Sequence, residues 1–60
     1  MLIHEFFGEG DYRHRRSMVY ESLNDGYIVI FLGEGKDRHM PANTERQAET
    51  LAEDWVMGVR

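Results

Sequence analysis

Histidines with carboxylates nearby in the sequence are the first side chains to consider for metal chemistry: they are His4, His14 and His39, with Glu5, Glu21 and Asp37. A zinc-type site needs three or four such ligands converging at about 2.0–2.2 Å. No two of the histidines have the i, i+4 spacing of a helix face, and the strand pairing predicted below places His4 and His14 on opposite faces. The sequence therefore predicts neither a metal site nor a cofactor, and the histidines are expected to pair with surface carboxylates.

Nucleophilic catalysis would have to use a hydroxyl group, because the chain has no cysteine. Ser17 and Ser22 fall in a predicted strand, and nothing around them indicates the base and orienting acid that such a nucleophile needs. A 60-residue chain is also too short to enclose a pocket of ~300 Å³ or more. We therefore expect a non-enzymatic protein, with an active site shared between subunits as the remaining alternative.

A basic cluster with an aromatic neighbour suggests a second kind of chemistry, and it consists of Tyr12, Arg13, His14, Arg15 and Arg16. Arginines beside aromatic rings can follow a nucleic-acid backbone and stack on bases. The alternative is that these side chains are solvated or paired with carboxylates. The net charge is −4, with 11 acidic and 7 basic residues, and this opposes phosphate binding by the whole surface. Nucleic-acid binding through Tyr12, Arg13, Arg15 and Arg16 is the second hypothesis.

The elements that position these residues follow from apolar runs separated by turn signals. Strands are predicted over residues 2–7, 12–23, 27–32 and 37–40, and Pro41 is expected to end the last one. Thr44 as N-cap and Gln47 as its capping-box partner predict a helix over residues 44–57, with Gly58 just beyond its end. The fold class is thus α+β: a three- to four-stranded antiparallel meander with one C-terminal helix packed on one face, in a single domain spanning residues 1–60.

The turn at Asn24-Asp25-Gly26 determines which side chains share a face. A two-residue type I′ turn there would pair Leu23 with Ile28, and hence Tyr20 with Phe31. In the first hairpin, a turn at Glu9-Gly10 would pair Phe7 with Tyr12.

The third strand is apolar on both faces, and the chain offers one helix to cover them. The helix has a single apolar stripe, formed by Ala48, Leu51, Ala52, Trp55, Val56 and Val59. Its small alanines predict close packing on the aliphatic face, which carries Ile28, Ile30 and Leu32, with Trp55 as the main anchor. The opposite face would then be an exposed apolar surface, and such surfaces usually mark an interface. Its predicted interface residues are Met18, Tyr20, Tyr27, Val29 and Phe31.

Size and composition agree with association. A chain of 60 residues is near the lower limit for folding alone, and the absence of cysteine excludes disulfides. Oligomerisation is the remaining common route to stability, so we expect a homodimer or higher homo-oligomer. No run of about 18 apolar residues predicts a membrane span, and no basic-then-apolar leader predicts a signal peptide. A cytoplasmic location is expected.

Two sequence runs carry a resemblance to known proteins. They are Asp-Gly-Tyr-Ile-Val-Ile-Phe at residues 25–31 and Glu-Thr-Leu-Ala-Glu-Asp-Trp-Val-Met-Gly at residues 49–58. In this respect the chain resembles small uncharacterised proteins encoded by marine bacteriophages, which share a Gly-aromatic central strand and a terminal helix. The resemblance implies a phage-encoded protein acting in the host cytoplasm, and it implies no activity. The predicted apolar face could also dock on a larger host or phage protein. In topology, the chain is also similar to the arm-type DNA-binding domain of tyrosine recombinases, whose sheet face is typically basic.

Overall fold

The computed structural model describes residues 1–23 and 25–60. Its strands are β1 (Leu2–Phe7), β2 (Arg16–Glu21), β3 (Tyr27–Leu32) and β4 (Arg38–Ala42), followed by the helix α1 (Glu45–Val56). The strands form one antiparallel sheet in the order β1-β2-β3-β4, and α1 packs on one of its faces. The predicted α+β meander with a C-terminal helix is confirmed.

The loop of the first hairpin is longer than predicted. Phe7 pairs with Arg16, not with Tyr12, because the intervening segment folds into its own loop around a single 3-10 turn at Gly10–Tyr12. The amide of Gly8 closes this loop by donating a 2.9 Å hydrogen bond to the carbonyl oxygen of Arg15. The basic cluster therefore lies mostly in a loop, and β2 begins only at its last residue.

The connection in the second hairpin is also longer than predicted, and this changes which side chains share a face of the sheet. Glu21 pairs with Tyr27, and the amide of Ser22 donates to the carbonyl oxygen of Gly26 at 2.9 Å. Asp25 has a positive φ of 60°, whereas Gly26 lies outside the left-handed region, so the two do not form the predicted type I′ turn. The Asn24 part of that prediction lies outside the described residues.

The longer connection moves every cross-strand pair. Tyr20 pairs with Ile28, and Val19 pairs with Val29. The predicted pairing of Tyr20 with Phe31 is wrong, because Phe31 lies opposite Ser17. Side chains on neighbouring strands share a face when they are paired directly, so Tyr20 belongs to the Ile28 face of the sheet.

The helix covers the face opposite to the predicted one. Val19 and Val29 are completely buried, and Phe31 is 2 % exposed, all in one cluster with α1. The prediction that α1 lies over Ile28, Ile30 and Leu32 is wrong, because the small alanines of the helix pack on the face that carries Val29 and Phe31. The buried cluster under the helix also contains Ala42, Ala48, Ala52, Trp55 and Val56.

Trp55 is the predicted anchor of this core. Its ring centroid lies 5.4 Å from that of Phe31, and its indole N–H donates a 3.0 Å hydrogen bond to the carbonyl oxygen of Leu32. Ser17 adds a buried link, since its hydroxyl donates to the carbonyl oxygen of Ala52 at 2.8 Å. The buried polar groups between sheet and helix are therefore paired, as burial requires.

Both ends of α1 agree with the sequence signals. Thr44 accepts from the amide of Gln47 at 3.1 Å, and the Gln47 side chain accepts from the amide of Asn43 at 2.9 Å. At the other end Gly58 has a φ of 80°, and Val59 donates to the carbonyl oxygen of Asp54, which completes a Schellman motif. Val59 itself is 70 % exposed and does not join the apolar stripe.

The last strand contradicts one local prediction. Pro41 does not end it, because β4 continues to Ala42 with Pro41 opposite Ile28. A proline is tolerated here because β4 is an edge strand, whose outward N–H groups need no partner in the sheet.

Candidate functional site

The sheet face that α1 leaves uncovered is the first candidate site, and we call it the open face. Its centre is formed by Met18, Tyr20, Ile28, Ile30 and Leu32, which are all half-buried. Leu2 and Phe7 extend it across β1, where they are 43 % and 64 % exposed. Glu5 on β1, Arg16 at the start of β2, and His39 and Pro41 on β4 complete the face.

The predicted interface therefore needs correction. Met18 and Tyr20 lie on the open face, but Tyr27, Val29 and Phe31 lie on the helix side of the sheet. Val29 and Phe31 are core residues and offer no surface to a partner. One sheet face is indeed left uncovered by the helix. On β3, however, its residues are Ile28, Ile30 and Leu32 instead of the predicted ones.

The charges on the open face neutralise one another locally. Arg16 forms an ion pair with Glu5 on the neighbouring strand, and its guanidinium lies 5.5 Å from the ring centroid of Phe7. The acidic residues of α1 lie on the other side of the molecule, above the covered face. The open face is consequently apolar at its centre, with a paired charge near one margin.

Arg15 of the predicted nucleic-acid surface is committed to the fold. Its side chain is 10 % exposed and donates hydrogen bonds of 2.9 Å to the carbonyl oxygens of Trp55 and Arg60. The guanidinium also lies 4.0 Å from the ring centroid of Trp55 and 4.8 Å from that of Tyr12. Tyr12 in turn packs against Gly58, where an added Cβ would lie 2.3 Å from the ring.

The neighbouring charges are paired as well. Glu34 accepts from Arg15 at 2.7 Å and lies 2.7 Å from the Nε2 atom of His14. The hydrogen bond from Arg15, followed by that from His14, lowers the pKa of Glu34 to about 2. With Arg16 paired to Glu5, Arg13 is the exposed member of the predicted set that no ion pair described here engages. Of the predicted set, Tyr12 and Arg15 thus contact each other, Arg16 is paired on the other strand face, and Arg13 lies exposed in the loop.

A further cluster joins β1 to the first turns of α1. The Nε2 atom of His4 lies 2.8 Å from Oε2 of Glu45 and 2.8 Å from Oε1 of Glu49. An irregularity between Leu2 and His4 shifts the pairing so that His4 lies opposite the buried Val19, on the side that α1 covers. Glu45 and Glu49 are one helical turn apart and reach the same nitrogen.

Sequence reasoning missed this cluster because it paired His4 with carboxylates close in the chain. The i, i+4 spacing of Glu45 and Glu49 was visible in the sequence, and it is the signal that places two carboxylates side by side. That His4 would face them depended on the strand irregularity and on which face the helix covers, and neither has a local sequence signal.

An open groove of about 430 Å³ lies between the end of β1 and the last turn of α1. Apolar side chains line it, together with the phenol of Tyr12 and the carboxylates of Glu9 and Glu53. The groove opens to solvent along the surface.

Comparisons with protein-family models, curated proteins and solved structures find no match for this chain. Among the described residues, no helix is long and apolar enough to cross a membrane.

Proposed function

We propose that this chain is a non-enzymatic interaction protein that self-associates through the open face of its sheet. The observation that supports the proposal is the continuous apolar centre of that face, formed by two neighbouring strands with Met18 opposite Ile30 and Tyr20 opposite Ile28. Contiguous apolar surfaces of this kind are uncommon on monomers and usually mark a contact. The association would take place in the cytoplasm, which is a bacterial host's cytoplasm if the chain is phage-encoded.

A second copy of the chain is the occupant that fits best. A symmetric dimer places the same patch on both sides of the contact, so the apolar centre of one copy meets that of the other. The charged margin does not oppose this arrangement, because Glu5 and Arg16 already neutralise each other. Stacking the open faces also keeps the acidic surfaces of the two α1 helices far apart, which reduces the repulsion between chains of net charge −4.

The size of the face determines how strong the dimer should be. Four strands of five or six residues, ~4.8 Å apart with ~3.4 Å per residue, present a face of roughly 350 Å² in projection. This projected area is small beside the ~800 Å² of accessible surface that each partner buries in a standard interface. We therefore expect a dimer that dissociates on dilution.

A matched pair of variants tests the proposal. Ile30→Glu places a charge at the centre of the open face, where a partner chain would bury it, and should give a folded monomer. Leu23→Glu makes the same kind of change at a fully exposed residue outside the face and should leave the dimer intact. Equal masses for the wild type and Ile30→Glu, both folded by circular dichroism, would contradict the proposal.

The alternative, nucleic-acid binding, is distinguished by salt. If the residues around Arg13 bound phosphates, a random oligonucleotide would bind at low salt and dissociate as salt rises. The pairing of Arg15, Arg16 and His14 with acidic groups or carbonyl oxygens leads us to expect no such binding. If the open face instead docks on a larger host or phage protein, the isolated wild-type chain should be a monomer. The Ile30→Glu variant should then have the same mass as the wild type.

A further inference from the structure

In the cluster of His4, Glu45 and Glu49, two carboxylates compete for one hydrogen-bond donor, the Nε2 atom of His4. Nε2 of an imidazole carries at most one hydrogen, which points in one direction. Two carboxylate oxygens nevertheless lie 2.8 Å from that nitrogen, one on each glutamate. Only one of them can accept a well-aligned hydrogen bond. Glu45 and Glu49 are also like charges at i, i+4 on one helix, and such pairs repel each other. A cation between the three groups would resolve both problems.

We propose that His4, Glu45 and Glu49 bind a divalent transition-metal ion, with Zn²⁺ as the ion of choice. The three ligand atoms lie within 4.8 Å of one another. Two ligand atoms 2.8 Å apart, each ~2.1 Å from a central ion, subtend an angle of roughly 85°. This is close to the angle between adjacent ligands in an octahedral site, and small movements of the exposed carboxylates widen it toward the tetrahedral value.

The donor set selects the class of ion. One imidazole nitrogen with two carboxylates suits Zn²⁺, Co²⁺, Ni²⁺ and Mn²⁺, whereas Mg²⁺ and Ca²⁺ prefer sites made only of oxygen. Zinc binds such sites more tightly than manganese does. With three protein ligands, the remaining coordination positions are filled by water.

The surroundings give the ion both access and support. The side chain of His4 is 31 % exposed, that of Glu49 35 % and that of Glu45 50 %, so an ion can enter from solvent. The backbone that holds them is fixed, because His4 lies opposite the buried Val19 and α1 is docked through buried Ala48 and Ala52. An ion here would tie the first strand to the helix and stabilise the folded state.

Direct titration tests the site. Protein without a histidine tag, freed of metal with a chelator, is titrated with Zn²⁺ by calorimetry and with Co²⁺ by visible absorption. We expect one ion per chain, a higher melting temperature with zinc, and no displacement by millimolar Mg²⁺. Glu49→Gln keeps the shape of the side chain but removes a charged ligand, so it should weaken zinc binding by about tenfold or more. His4→Gln should do the same.

Two controls separate the cluster from general surface binding. Glu53→Gln changes an exposed carboxylate one turn further along α1, and His39→Gln changes an imidazole on the open face; both should bind zinc as the wild type does. Circular dichroism checks that each variant is folded. If His4→Gln does not fold, the zinc affinity of Glu49→Gln is the deciding measurement. The proposal is overturned by absence of zinc uptake, by unchanged affinity in folded Glu49→Gln, or by equal competition from Mg²⁺.

Discussion

The guanidinium of Arg15 lies 4.0 Å from the ring centroid of Trp55 and also donates a 2.9 Å hydrogen bond to the carbonyl oxygen of that residue. One side chain thus contacts the core anchor on its face and satisfies a carbonyl group in the last turn of α1, where a positive charge is favoured. Through Glu34 the same arginine reaches the loop after β3. Arg15 therefore connects its own loop before β2 and the loop after β3 to the helix.

Arg15→Lys should destabilise the protein although it keeps the charge. Lysine lacks the planar fork that contacts Glu34 and Trp55 at once, and hydrogen bonds to charged groups contribute about 1.5–3 kcal/mol each. We expect a clear loss in the free energy of unfolding, measured by urea titration. Arg13→Lys, at an exposed neighbour, should change it by less than ~0.5 kcal/mol. Equal stability of Arg15→Lys and wild type would show that the clamp is unimportant.

Glu34 should make the free energy of unfolding depend on pH in the acidic range. Its pKa is about 2 in the folded protein, against an ordinary value of 4.5 for a glutamate, so the folded state binds fewer protons than the unfolded state between these two pH values. The stabilisation is complete above pH ~4.5 and is lost as pH falls toward ~2. The difference in unfolding free energy between wild type and Glu34→Gln should shrink over that interval. A difference that stays constant from pH 6 to pH 2 would disprove the linkage.

Trp55→Ala should remove most of the stability of the fold. Trp55 is 3 % exposed, and deleting a buried tryptophan side chain costs about 3–5 kcal/mol. Trp55→Phe keeps much of the packing but loses the hydrogen bond to Leu32, so its cost should be smaller. The free energies of unfolding of the two variants check this order. Native-like circular dichroism and unchanged melting of Trp55→Ala would mean that other contacts dock the helix.

Phe31→Asp and Ile30→Asp should give different results although the residues are adjacent. Phe31 is buried beneath α1, so an aspartate there leaves a charge in the core and should unfold the chain. Ile30 lies on the open face opposite Met18, so an aspartate there should leave the fold intact and prevent association. Circular dichroism and the mass in solution distinguish the two outcomes. A folded Phe31→Asp variant would contradict the assignment of faces.

The parts of the fold that follow from neighbouring residues could be predicted from the sequence. Thr44, Gln47 and Gly58 determine the ends of α1 through contacts within a few residues, and the structure shows those contacts. The apolar positions of the helix likewise gave Trp55 as its anchor. Strand existence was equally local, since six consecutive apolar residues form β3.

The faces and the sites could not be predicted because they depend on loop length. Moving the pairing of β2 and β3 exchanged the positions of Ile30 and Phe31 relative to Tyr20, and a strand that is apolar on both faces gives no signal to correct the error. Arg15 and His4 each have a partner on α1, far away in the chain. These contacts can be predicted only when it is known that α1 packs on the face that carries Val29 and Phe31.

Sedimentation equilibrium of the wild-type chain over a wide range of concentrations is the decisive test of association through the open face. The chain has a mass of 7.1 kDa, and association through the open face predicts a mass that rises toward twice this value at high concentration and returns to it on dilution. A mass of one chain at every concentration, up to the solubility limit, would contradict the account.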